Sequence, residues 1–151
     1  MRREQGFSYV IVIFTVAILT VVSVRALENS LTHEKRDREA ELLFVGQAFR
    51  NAIRDYYEKS PGSLKSYPAS LDALLLDERT STTRRPLRRI YRDPMTGKAE
   101  WGLVLTEDGK VKGVHSLSQA APMKVGGFPA DLASFNGAKS YQDWQFVYQP
   151  E

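Results

Sequence analysis

The chain contains no cysteine in 151 residues. That excludes a disulfide framework and a thiolate metal site, and leaves the redox compartment unreadable. Histidine is nearly absent too: His33 and His115 lie in different stretches with no partner at ligand spacing, so ordinary surface or edge-strand roles are expected of them. No Ser/His/Asp arrangement, phosphate-cradling glycine loop or paired-carboxylate motif stands out, and enzymatic activity is not expected. Repeats and low-complexity tracts are missing. The net charge of +3 is too small to imply nucleic-acid binding by itself.

Charge is also missing where it matters most. From Phe7 to Val24 there is none, and Ser8, Tyr9, Thr15, Thr20 and Ser23 are the only polar or amphipathic members. The run is close to the ~20 apolar residues that cross a hydrocarbon core, and Arg25 closes it with a side chain that can snorkel to the interface. A secretory signal would have an apolar core of about 7–15 residues followed by a small-x-small cleavage site. Here the run is longer and is followed by Arg25-Ala26-Leu27-Glu28-Asn29. The obvious small residue, Gly6, precedes the run, so cleavage there would keep the membrane anchor. Arg2 and Arg3 favour a cytoplasmic N-terminal end, while Arg25, Lys35 and Arg36 on the far side weaken that bias.

Arg2-Arg3-Glu4-Gln5-Gly6-Phe7-Ser8-Tyr9-Val10-Ile11 resembles the class III signal of type IV pilins and type II secretion pseudopilins. The resemblance implies that a prepilin peptidase cuts the Gly6–Phe7 bond and N-methylates Phe7. It also implies an assembly helix in which Phe7, Tyr9, Val10, Ile11, Phe14 and Ile18 pack against other subunits. The family usually has glutamate at the fifth mature position, where it neutralises a neighbour's terminal amine in an apolar core, where an unpaired charge is costly. This chain has Ile11 there. The departure points to a minor or specialised subunit.

Beyond the span the helical pattern continues. Between Ala26 and Glu58 there is no proline and one glycine, Gly46, and Leu27, Leu31, Leu42, Val45, Phe49, Ile53 and Tyr56 recur at helical intervals. Ser60-Pro61-Gly62 is a stop. A continuous helix over 7–58 would be about 78 Å long. After it, Tyr67–Leu76 reads as a short helix with Pro68 near its first turn and Ser70 as its cap. Trp101–Leu105 and Val111–Ser116 read as strands joined through Asp108-Gly109, a strong hairpin signal. Ala120–Ser140 reads as a long loop, and Gln142–Tyr148 as a last strand with Trp144, Phe146 and Tyr148 on one face.

Two clusters in this region are candidate sites. Arg84, Arg85, Arg88, Arg89 and Arg92 are interleaved with Leu87, Ile90 and Tyr91 and suit an anionic partner: carboxylates of neighbouring subunits first, DNA or anionic lipid second. Asp131, Asn136 and Asp143 are candidate calcium ligands, sparse against the six to eight oxygens that calcium takes. No other cofactor is expected.

The sequence thus predicts an α+β protein, a long N-terminal helix packed on a small antiparallel β-sheet head. Its parts are a leader over 1–6, a transmembrane and assembly helix over 7–24, the helix's continuation over 25–60 and a head over 61–151. The expected role is a structural subunit of a type II secretion pseudopilus or related pilus-like fibre. The alternatives are a permanent single-span protein whose periplasmic head binds an envelope partner, and a minor pilin of a pilus or DNA-uptake system. Expected partners are other pilin-like subunits, prepilin peptidase and an inner-membrane assembly platform, with nucleic acid not expected. The expected location is the bacterial inner membrane, N-terminus cytoplasmic and head periplasmic, and a periplasmic fibre after assembly.

Overall fold

A computed structural model describes residues 5–79 and 81–150; residues 1–4 of the expected leader lie outside the described residues. One helix, α1 (Gln5–Glu58), carries the sequence through the apolar run and beyond it. The chain divides into two units, one ending at Asp37 and one starting at Arg38.

In the first unit every side chain from Phe7 to Glu34 is exposed. Leu27 and Leu31, expected on the buried face, are 62% and 58% exposed. The helical period is there, but this unit gives it nothing to pack against.

The second unit is the α+β head. Here the same period works: Leu42, Val45, Phe49, Ala52, Ile53 and Tyr56 form a buried stripe on α1. Against it packs a three-stranded antiparallel sheet in the order β1 (Gly102–Leu105), β2 (Val111–His115), β3 (Phe146–Val147). β1 and β2 pair from Gly102 opposite His115 to Leu105 opposite Val111, with an irregularity at Val104–Leu105. β3 pairs with β2 through Gly113–Val147 and Val114–Phe146. Gly109 closes the hairpin at φ +73°, as the Asp-Gly signal requires. Helix and sheet are in close contact at Gly46, where a Cβ would sit 2.3 Å from the Phe146 ring.

Two expected elements are shorter than the sequence suggests. Tyr67–Leu76 contains only a 3₁₀ turn, Asp72–Leu74, whose preceding residue is Leu71 with no side-chain cap. Pro68 is fully buried, and its carbonyl accepts the Val111 N–H at 2.8 Å, so the start of this segment is tied to the sheet and only its second half turns helically. In the C-terminal stretch only Phe146–Val147 is strand, and Tyr141–Asp143 is a 3₁₀ turn. Trp144 and Phe146 are fully buried, whereas Tyr148 is half-buried against Tyr57 at 5.8 Å. The loop over 120–140 carries a further kinked 3₁₀ stretch, Ala130–Phe135, which buries Leu132 and Phe135.

α1 ends without a basic residue in its last turn. Cations from later in the chain supply what the exposed carbonyls and helix dipole favour. Arg79 donates to the Tyr56 carbonyl at 2.8 Å and to Ser60 Oγ at 3.0 Å, and its guanidinium lies 3.4 Å from the Tyr56 ring centre. Lys65 reaches the Glu58 carbonyl. Arg79 is in turn held by buried Asp77, at 2.8 Å and 2.9 Å, and these hydrogen bonds keep the Asp77 carboxyl below its ordinary range.

Two outcomes follow for the full chain in detergent. Gly46→Ala gains helix propensity but drives a methyl into the Phe146 ring, and unfolding in denaturant should show a net loss of about 1–3 kcal/mol. Arg79→Ala leaves the Asp77 carboxylate buried and unpaired, with a loss of about 3 kcal/mol at neutral pH. Because the folded state lowers the Asp77 pKa, its contribution is present above the unfolded value near 3.8 and fades as pH falls through the lower folded value. In Arg79→Ala the hydrogen bonds that hold the carboxyl low are gone and burial alone acts on it. This acid loss should then shrink or reverse, and the penalty of the substitution should be smaller at low pH than at neutral pH.

Candidate functional site

The first candidate is the apolar surface of α1. Phe7, Tyr9, Val10, Ile11, Phe14 and Ile18 are 48–72% exposed, with Phe7 the most open. One α1 stretch near the N-terminus is long and apolar enough to cross a membrane, with a mean hydropathy of 2.6 in its most apolar window. Its hydroxyls fit that surrounding. Thr15, Thr20 and Ser23 donate to the carbonyls of Ile11, Val16 and Leu19, each at 2.8 Å, so none demands water. The backbone is helical through Gly6 and Phe7. Phe14, Ala17, Ile18, Val21 and Val22 line an entirely apolar groove of about 260 Å³ on this stretch.

The second candidate is the arginine ribbon, and all five of its side chains are exposed. The backbone beneath them is fixed. Asp77 and Arg84 exchange two main-chain hydrogen bonds at 2.7 Å and 3.2 Å, and the Leu87 N–H bonds the Leu74 carbonyl at 2.9 Å while its side chain is buried. The Trp101 indole donates to the Tyr91 carbonyl at 2.9 Å. Asp93 ends the ribbon fully buried, accepting from Met95 N–H, Thr96 Oγ1 and Ser116 Oγ, the last at 2.7 Å. Gly97 follows at φ +72° in the Asp-Pro turn. Arg85 reaches the Leu75 carbonyl, Arg92 the Gly97 carbonyl, and Arg89 lies 5.0 Å from the Tyr91 ring centre. Arg84 and Arg85 share an open groove of about 420 Å³ with Lys59, Asp55 and Asp77.

The three candidate calcium ligands are separately engaged. Asp131 pairs with Arg50 at 2.7 Å, and Arg50 also donates to the Val147 carbonyl. Asn136 donates to the Ala133 carbonyl at 2.8 Å. Asp143 accepts from the Lys139 and Ser140 N–H groups in a capping box, which holds its pKa down. No group of three metal-ligating side chains occurs among the described residues.

The sequence reading missed a buried carboxylate. Glu39, on α1 and only 5% exposed, accepts from the Met123 N–H at 2.9 Å, the Lys124 N–H at 3.1 Å and the Tyr141 hydroxyl at 3.2 Å through one oxygen. A signal existed: Glu39 lies three residues before Leu42, on the line of the buried stripe. It fastens the 120–141 segment to the helix beside an aromatic cluster in which Trp144 stacks on Phe135 at 5.5 Å and meets Phe128 and Tyr141 edgewise. The Trp144 indole N–H has no acceptor among the described residues, and its neighbours are ring faces and edges.

Comparison with protein-family models, curated proteins and solved structures gives no match for the chain.

Burial, with Glu39 beside it, pushes the Tyr141 hydroxyl up to about 12. The folded state therefore prefers the protonated phenol. Its stabilisation is complete below the unfolded value near 10 and is lost as pH rises through the folded value. Unfolding midpoints of the full chain should fall between pH 10 and 12, and Tyr141→Phe should shrink that fall while weakening the protein slightly at pH 7.

Proposed function

We propose that this chain is a structural subunit of a pilus-like fibre, of the type II secretion pseudopilin kind, processed at Gly6–Phe7 and anchored in the bacterial inner membrane with its head in the periplasm. The observation that carries the reading is α1. A helix with a charge-free apolar stretch, exposed along its whole length, runs on in the same element to the stripe that floors a small α+β head. A secreted globular protein has no use for such a stretch, and a bare anchor has no need for the head's rigid surface.

The mechanism is assembly. In the membrane, lipid tails cover Phe7–Val24; in a fibre, the same side chains meet other helices. Lipid is as apolar as leucine, so the exchange is driven by close packing and not by escape from water. The prepilin peptidase and an inner-membrane assembly platform are the partners this route requires. Ile11, exposed on the helix and unable to meet a neighbour's amine, suits a specialised subunit better than the bulk of the fibre.

The N-terminus of chain extracted from its native membrane tests the proposal by mass spectrometry. Phe7 should be the first residue and should carry one methyl group. Retention of residues 1–6 with an unmodified Phe7 would sink it and leave a permanent single-span membrane protein.

A further inference from the structure

An apolar helix face can pack, but it sets register poorly, because hydrophobic contact is non-directional. No side chain from Phe7 to Val24 is charged, so none can answer a neighbour's terminal amine or fix its height and rotation. The head carries unpaired charge of both signs, in two rigid places. Five exposed arginines occupy the nine residues from 84 to 92 with no acid among them, and none forms an ion pair among the described residues. Glu107 and Asp108 are adjacent, exposed and likewise without an ion pair among the described residues.

Both places are pre-shaped. The ribbon is pinned by Leu87 and Asp93, as described above. The acidic turn is closed by the Thr106 N–H to the Lys110 carbonyl at 2.8 Å and the Gly109 N–H to the Thr106 carbonyl at 3.0 Å. Lys110, which would otherwise offset the two carboxylates, turns its ammonium away to Ser66 Oγ at 2.7 Å. The two places also sit at opposite ends of the β1–β2 hairpin. Tyr91 and Asp93 bond to Trp101 and Ser116, the residues flanking the hairpin's open end, while Glu107 and Asp108 form its closed end.

The geometry points to a head-to-tail contact between copies of this chain, in which Arg88, Arg89 and Arg92 of one head receive Glu107 and Asp108 of the next. Arginine suits this role because its planar fork meets a carboxylate with two hydrogen bonds and less loss of side-chain freedom than lysine. The two surfaces differ and lie at opposite ends, so the contact is heterologous and open-ended. Resting on the fibre-subunit reading above, it builds a short run of copies within the fibre, as suits a specialised subunit. Charge complementarity of this kind fixes register and excludes wrong partners. Nucleic acid fits the ribbon less well. Its one aromatic ring, Tyr91, is occupied by Arg89 and lies edgewise to Phe49 at 6.2 Å, so no free stacking platform is offered. Asp55 and Asp77 flank the Arg84–Arg85 groove, where a phosphate would meet them.

The absence of cysteine makes the test clean. Full-length chain carrying Arg88→Cys and Leu105→Cys is cross-linked in membranes with a short bismaleimide. A ladder extending beyond dimer is expected from the two-cysteine chain, and nothing beyond dimer from either single one. Adding Arg89→Glu with Arg92→Glu, or Glu107→Lys with Asp108→Lys, should reduce the ladder roughly tenfold or more, since like charges then face each other across the contact. Combining the two reversals should restore it, which a misfolded head would not do. No ladder, or a ladder indifferent to both reversals, overturns the contact. So does binding of duplex DNA or phosphatidylglycerol vesicles that the arginine reversal abolishes while no ladder forms. The ladder is read whether or not Phe7 is the N-terminal residue, so the contact and the Gly6–Phe7 processing succeed or fail separately.

Discussion

The buried stripe on α1 from Leu42 to Tyr56 is the surface on which the rest of the head depends. A three-stranded sheet with a two-residue edge strand is too small to stand alone in water, and it needs a second layer to cover its apolar face. The helix is that layer. Phe49 shows the arrangement in one side chain, fully buried with its ring 5.0 Å from Trp101 and 6.2 Å from Tyr91. Trp101 leads into β1 and Tyr91 belongs to the arginine ribbon, so one helical residue locates both the sheet and the basic surface. Gly46 sets the distance between the layers, because only a missing side chain lets the Phe146 ring approach so closely.

Around that apolar contact, three buried carboxylates decide where the irregular segments dock. Glu39 holds the 120–141 segment, Asp77 holds the cation that caps α1, and Asp93 holds the turn after the ribbon to the end of β2. Each has several donors, as a buried charge requires if it is not to be a liability. Their value lies in discrimination. Hydrophobic burial would tolerate many loop placements, whereas a carboxylate aligned with particular N–H and O–H groups tolerates few.

The parts of the fold legible in the sequence are those with a period or a turn signature. α1 declares itself by helical spacing, its end by Ser60-Pro61-Gly62, and the hairpin by Asp108-Gly109 between two apolar runs. What the sequence hides is set by tertiary contact. Tyr67–Leu76 has the composition of a helix, yet Pro68 serves β2 with its carbonyl and the rest coils only into bends and the single 3₁₀ turn Asp72–Leu74. Gln142–Tyr148 alternates like a strand, but its first residues are taken by the Tyr141–Asp143 turn, and the pairing with β2 is confined to Phe146 and Val147 and the Tyr148 N–H on the Lys112 carbonyl. Leu27 and Leu31 keep the period without burial, because period alone does not say whether a partner is present in the same chain. The arginine ribbon was legible as a cluster; its rigidity was not, since Leu87, Asp93 and the Asp77–Arg84 bridge become visible only once the chain is folded. Glu39 was overlooked because a lone acid in a charged stretch reads as solvated.

The distribution of the two tryptophans has an optical consequence. Trp101 lies beneath the helix stripe beside Phe49, and Trp144 lies in the aromatic cluster under the 120–141 segment. Neither is in the apolar half of α1, so the chain's indole emission comes from the head alone, whatever surrounds that stretch. The two indoles differ in chemistry as well: Trp101 donates its proton to a carbonyl, and Trp144 is surrounded by rings with no polar acceptor among the described residues. The head therefore carries two built-in chromophores of different polarity, one reading the seam between helix and sheet and the other reading whether the long loop is shut.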